Sequence, residues 1–275
     1  DFSVSNAEWT GNPVKPDVYR GSTKVDSSWL KYTGDITDAC GTLEEMRAVN
    51  SGFEESNLPT VTVTGHGNFK GSVPLHFTIG HSFSGATVSV NGGRIIYNGD
   101  SHNNLSFTIS HPNRNVDTSK VKYEVKYPDD MVNAGDKSVV LTAINGGPLY
   151  GTKTVRVTIY PISGSTWTAE FTGLQMDSSG MYYAQYQGAP ITPEVKAYVL
   201  TTAGQRTEIP LQPSEITYAN NNAAGTASVT IKPQNYEGTK VLYFKINGVD
   251  ISQDNNVYVA FSDGITRRKY TGSAI

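Results

Sequence analysis

The sequence predicts an all-β protein made of tandem antiparallel β-sandwiches. Three observations predict it: a glycine- and tyrosine-rich composition, a closing strand pattern that occurs three times, and an opening pattern that occurs four times. The 275 residues include 27 glycines and 16 tyrosines with abundant Ser, Thr, Val and Asn, while charged residues make up only 17%. Such a composition fits a polar-surfaced β protein rather than a helical or α/β enzyme.

The closing pattern is an aromatic or leucine, a glycine two positions on, and an alternating apolar strand. It reads Phe69-Lys70-Gly71 leading to Ile79, Leu149-Tyr150-Gly151 leading to Ile159, and Tyr236-Glu237-Gly238 leading to Ile246; glycine and isoleucine are eight positions apart each time. Val73, Leu75, Phe77 and Ile79 share one face of such a strand, as do Val155, Val157 and Ile159, because side chains alternate with a period of two. Phe77, Val157 and Phe244 each precede the final isoleucine by two and are therefore expected in three equivalent cores. A second strand precedes each pattern, at Val61-Thr62-Val63, Val139-Val140-Leu141 and 227–231, so the segment between reads as a hairpin turn.

The opening pattern is an aromatic followed two positions later by glycine: Trp9-Thr10-Gly11, Tyr97-Asn98-Gly99, Tyr186-Gln187-Gly188 and Tyr270-Thr271-Gly272. Its aromatics recur at 88, 89 and 84 positions, close to the 80 and 87 that separate the closing glycines. Two independent signatures thus share one period, which marks a repeat. The implied organisation is 1–79, 80–160 and 161–246, followed by 247–275 as the opening segment of a fourth repeat that the sequence does not complete. That last segment is expected to pair with a sheet it did not originate in, or to lie against the third repeat. Short strands with turn signals every eight to twelve residues describe an antiparallel sandwich.

One stretch breaks the pattern. In 42–49, Thr42 stands at an N-cap position with Glu45 three residues on and good helix formers between, which predicts a short helical insertion. It reads as a crossover between two sheets, or as a recognition helix.

Unit three carries the fullest set of motifs: Tyr186 to Pro193 with prolines at 190 and 193, Asn221-Asn222-Ala223-Ala224-Gly225-Thr226, Asn235-Tyr236-Glu237-Gly238-Thr239 and Phe244-Lys245-Ile246. This set resembles the bacterial immunoglobulin-like repeats of large surface proteins and adhesins, the glycine-rich mostly-β kind included. The resemblance implies immunoglobulin-like sandwiches and a stalk or adhesive duty at a bacterial cell surface or extracellular appendage. Such repeats also recur in phage, so a structural part of a virion or filament is the other place it implies. Partners would then be a glycan, a host-surface protein or like subunits.

The sequence offers little that reads as catalytic chemistry. A net charge of −3 gives no basic field for nucleic acid, and no apolar run approaches the ~20 residues of a membrane span. His66, His76, His81, His102 and His111 lack metal-site spacing, and Cys40 has no partner nearby, so no metal or cofactor is expected. Cys40 itself reads as a small buried residue. The carboxylates Asp129, Asp130 and Asp136, Glu44 and Glu45, and Asp250 and Asp254 read as solvated loop charges, with calcium at a domain junction the alternative. Phosphate-binding loops and nucleophile elbows do not occur. Aromatic residues remain: Trp9 and Tyr186 occupy the repeated opening position and read as core, whereas Trp29, Trp167 and Tyr182 lie outside it and are the candidates for sugar-stacking platforms.

Overall fold

The computed structural model describes residues 1–163, 167–200, 205–250, 258–259 and 268–269. The fold is all-β: the described residues form 24 strands and one α-helix. They divide into two compact units, Asp1–Tyr160 and Pro161–Ile275.

The first unit opens with a three-stranded sheet of β1 (Phe2–Val4), β2 (Val18–Arg20) and β3 (Thr23–Lys24). A second sheet joins β4 (Leu30–Thr33), β5 (Thr60–Thr64) and β6 (Ser72–His76) in that order, all antiparallel. Val18 and Val25 come together with Val61, Val63, Phe77 and Ile79 in one buried cluster, so the two sheets share a core. The helix α1 (Leu43–Val49) starts at Thr42, whose hydroxyl accepts from the Glu45 N–H while Glu45 accepts from the Thr42 N–H. The capping pair is the one the sequence predicts. The crossover reading is not: α1 lies in the connection from β4 to β5, which are neighbours in one sheet.

The same unit continues with β7 (His81–Ser82), β8 (Thr87–Val90), β9 (Ile95–Ile96), β10 (Phe107–Ser110), β11 (Tyr123–Lys126), β12 (Gly135–Ala143), β13 (Leu149–Tyr150) and β14 (Thr152–Tyr160). β8 pairs with β10, and β11, β12, β14 and β9 form a four-stranded sheet in that order. Phe83, Met131, Val139, Leu141 and Val157 belong to a second buried cluster.

The two clusters meet at a short, tightly bonded junction. The Gly80 N–H donates to the Ala7 carbonyl and the His81 N–H to the Pro148 carbonyl, both within 3.0 Å. β7 pairs in parallel with β13, the Gly146 N–H donates to Asp38 Oδ1 at 3.0 Å, and His81 Nε2 lies 2.8 Å from Glu8 Oε2. Gly80 has φ +76, and a Cβ there would stand 2.5 Å from the Pro148 carbonyl oxygen. Only glycine permits both the backbone angle and the approach. Met46 and Val49 of α1 line a crevice together with Leu149 and Tyr150 of the second part.

The second unit contains β15 (Trp167–Phe171), β16 (Gln175–Met176), β17 (Tyr182–Gln185), β18 (Val195–Leu200), β19 (Arg206–Ile209), β20 (Ile216–Ala219), β21 (Gly225–Ile231) and β22 (Lys240–Asn247). β15, β18 and β19 form one sheet; β16, β17, β22, β21 and β20 form the other. Trp167, Phe171, Ala197, Val229, Phe244 and Ile246 are buried in one cluster with them. β23 (Tyr258–Val259) and β24 (Arg268–Lys269) pair antiparallel with each other. The reading of 247–275 as an opening segment that pairs elsewhere otherwise lies outside the described residues.

The sequence signatures correspond to the same construction three times. Each closing strand pairs antiparallel with the strand predicted before it, as β5 with β6, β12 with β14 and β21 with β22. Gly71, Gly151 and Gly238 before the closing strands have φ of 92°, 85° and 103°, a region open to glycine without strain. The final isoleucine then pairs in parallel with the residue two before the opening aromatic: Ala7 with Ile79, Ile95 with Ile159, Ala184 with Ile246. Phe77, Val157 and Phe244 are 3%, 2% and 0% exposed, one in each cluster. Along the first closing strand the alternation weakens, since Val73 is 42% exposed where the strand leaves the core.

Truncating a buried phenylalanine removes its transfer free energy and leaves a cavity. Phe244→Ala is expected to cost the second unit ~3–5 kcal/mol. Denaturant unfolding of the full chain, followed by the emission of Trp167 in the same core, checks this; a loss under about 1 kcal/mol would contradict the packing.

Candidate functional site

Of the three aromatics the sequence nominates as sugar platforms, Trp167 is buried, while Tyr182 and Trp29 are half-buried against their cores and Trp29 also lines a cleft. Trp167 is 4% exposed, its indole N–H donates to the Glu237 carbonyl at 3.0 Å, and the Lys240 ammonium stands 5.6 Å from its ring centroid. It is a core residue of the second unit, because β15 points it between the sheets. Tyr182 packs edge-on against Phe171 with centroids 5.1 Å apart and is half-buried against the same core. Burial of Trp167 leaves it no ring face for a ligand, whereas Tyr182 keeps part of its surface exposed. Trp9 and Tyr186 pack half-buried against the first and third cores, as their repeated position predicts.

Trp29 is different. It ends a 3-10 turn, Ser27–Trp29, whose Asp26 carboxylate accepts from the Ser28 N–H at 2.8 Å and the Ser28 hydroxyl at 2.7 Å. The side chain leaves the turn toward the loop 65–71, where it meets His66 and Phe69 at centroid separations of 6.1 and 6.2 Å. The loop is folded by Gly65 N–H donating to the Gly71 carbonyl and Phe69 N–H to the His66 carbonyl. Trp29 and Phe69 line a cleft of about 840 Å³ together with the buried Val25 and Val63. Arg20 from β2 stacks its guanidinium 5.2 Å from the Phe69 centroid, and Lys24 and Lys70 line the same space.

Two of these residues escape sequence inspection for a definite reason. Arg20 becomes part of the site only through tertiary folding. Phe69 occupies the closing-pattern position, which reads as part of a hairpin turn; it is 51% exposed, whereas Leu149 at that position is 3% exposed and Tyr236 is half-buried against its core. The turn before Trp29 is also a repeat feature. Turns at Thr118–Lys120 and Pro213–Glu215 precede the equivalent strands, closed by the same N–H to carbonyl bond from residue 120 to 117 and from 215 to 212. Where the first repeat has tryptophan, the others have Lys120 and Glu215.

The remaining polar groups serve the fold. Asp130 Oδ1 accepts from the Val132 and Asn133 N–H groups, and its Oδ2 accepts from the buried Lys137 ammonium at 2.7 Å. Burial works against the carboxylate, but Lys137 and the loop N–H groups outweigh it and hold Asp130 well below the usual carboxylate range. Asp136 accepts from Arg156 and Thr158. Among the described residues, no three His, Cys, Asp or Glu side chains gather as metal ligands do. Cys40 is 3% exposed, and burial pushes its thiol up to about 12. No described helix is long and apolar enough to cross a membrane.

No protein-family model and no curated protein matches the chain. Among solved structures it is similar to that of surface layer protein SbsC, domains 4–9, with 11% identity and a TM-score of 0.18. The match covers 90% of this chain and 47% of that one, so the chain spans about half its length. At that TM-score the two do not superpose as one fold.

Two outcomes follow from the buried polar groups. A carboxylate held low in the folded state stabilises above its unfolded pKa, and that stability is lost as pH falls through the folded value. Asp130→Asn, which leaves Lys137 unpaired, is expected to lower stability at pH 7 by about 1 kcal/mol, since the carboxylate is half exposed. The gap between variant and parent should begin to narrow below about pH 4 in urea titrations and keep narrowing as pH falls further toward the folded value. For Cys40, a buried neutral thiol is a poor nucleophile. Ellman's reagent at pH 8 should find no reactive thiol in the folded chain and one after denaturation; rapid native labelling would contradict its burial.

Proposed function

We propose that the chain is a non-enzymatic module of tandem immunoglobulin-like repeats, acting as a stalk or adhesion unit at a cell surface or on an extracellular appendage. The observation that carries this reading is the junction at Gly80. Adjacent cores one residue apart, bonded across the junction by the Gly80 N–H to the Ala7 carbonyl, the Gly146 N–H to Asp38 and His81 to Glu8, resist pivoting, which is what a spacing element needs. Repetition of one construction also suits weak contacts multiplied along a chain, where linkage raises effective concentration without a strong single site. Its partners in this reading are a glycan, a host-surface protein or like subunits.

A second reading, carbohydrate binding, is favoured by one observation: the ring faces of Trp29 and Phe69 wall an open cleft over an apolar floor. Sugars present C–H faces that stack on such rings.

Immunogold labelling of intact source cells or particles with antibody to the chain tests the first reading. Gold on the outer surface or along appendages is the expected outcome. Label confined to the interior of opened cells would overturn it.

A further inference from the structure

We propose that the cleft between residues 20–29 and 65–73 binds a sugar ring bearing a carboxylate, as a terminal or internal unit of an acidic glycan. This rests on the carbohydrate reading and adds the charge of the sugar.

The first argument compares the repeats. The position of Trp29 holds Lys120 and Glu215 in the other two, so the turn itself requires no tryptophan there. The position of Phe69 is packed in the other two and turned outward only in the first. Both departures occur in one repeat and side by side, 6.2 Å apart, at the wall of one cleft. Trp29 is half-buried against the first core, but Phe69 is 51% exposed, and exposed aromatic area is unfavourable in water unless something covers it.

The second argument is charge. Lys24 is engaged by Asp17 at 2.7 Å. Arg20 and Lys70, by contrast, have no carboxylate within ion-pair distance among the described residues, although the chain as a whole carries a net charge of −3. On the opposite side, Asp26 is turned to Ser28, and Asp1 stands at the rim. The Arg20 guanidinium stands over the Phe69 ring at 5.2 Å, and its paired N–H donors match a carboxylate. A ring seated on Trp29 and Phe69 would place a carboxylate substituent within reach of that fork.

The third argument sets a glycan above an acidic peptide. The edge strand along the cleft, β6, carries Pro74 at its centre, which has no N–H to offer an added strand. Recognition must therefore run through ring faces and charge rather than through main-chain pairing.

The experiment titrates the full chain with trigalacturonate, its fully methyl-esterified form and hexaglutamate, read by intrinsic tryptophan emission and calorimetry. Trigalacturonate should bind at least tenfold more tightly than the ester, since a charge-assisted hydrogen bond is roughly twice as strong as a neutral one. Arg20→Gln and Lys70→Gln, both at exposed positions, should each weaken trigalacturonate severalfold to tenfold and leave the ester unchanged, while Trp29→Ala weakens both. Equal binding of acid and ester, or indifference to Arg20→Gln and Lys70→Gln, overturns the charge assignment and leaves the carbohydrate reading standing. If neither sugar binds, both fall. Hexaglutamate binding as tightly as trigalacturonate overturns the glycan in favour of a peptide.

Discussion

The constraint on which the rest depends is the parallel pairing between the final isoleucine of each closing strand and the residue two before the opening aromatic. It joins positions roughly 60 to 70 residues apart in the chain, at Ala7 and Ile79, Ile95 and Ile159, Ala184 and Ile246. Closing so long a loop costs chain entropy that hairpins formed locally do not. The return comes from burial: the three isoleucines are 0%, 0% and 1% exposed. Because that pairing seals start to end within each repeat, the opening aromatics Trp9 and Tyr186 are brought over their own cores.

Sealed repeats still have to be joined, and the chain does this with almost no linker. Ile79 ends one core, and His81 begins the first strand pair of the next, so a single residue separates them. Gly80 is there because its neighbours leave room for nothing larger. Insertion of α1 then makes sense as geometry: the helix occupies the connection from β4 to β5, where the third repeat has only a tight turn at 220–224, and it reaches the second repeat's Leu149 and Tyr150.

Much of this construction is legible in the sequence, and what is not fails for physical reasons. The closing strands, their hairpin partners, the buried Phe77, Val157 and Phe244, and the Thr42–Glu45 cap all follow from local periodicity and capping chemistry, which need no tertiary information. The parallel bridges do not, because pairing across 60 residues leaves no short-range trace. The path of the helical insertion fails likewise, since a cap states where a helix begins but not which strands flank it. In the site, Trp29 is found by exclusion from the repeat pattern. Trp167 is misplaced by the same rule, for a residue outside a pattern still enters a core when its strand alternation turns it inward.

The comparison of Trp29 with Lys120 and Glu215 shows why repetition helps function to be read at all. One turn geometry, closed by one N–H to carbonyl bond, tolerates an aromatic, a cation and an anion at its last position. In Lys120 the side chain pairs with Asp117, and in Glu215 the carboxylate accepts from the Gln212 and Gln234 N–H groups, so both serve their own turn or hairpin. Trp29 packs half-buried against the first core and also joins Phe69 on the wall of a cleft. A fold that supplies its own internal controls separates what packing demands from what packing merely permits. Side chains in the second class, gathered on one face of one repeat, are where a ligand leaves its mark on an otherwise structural sequence.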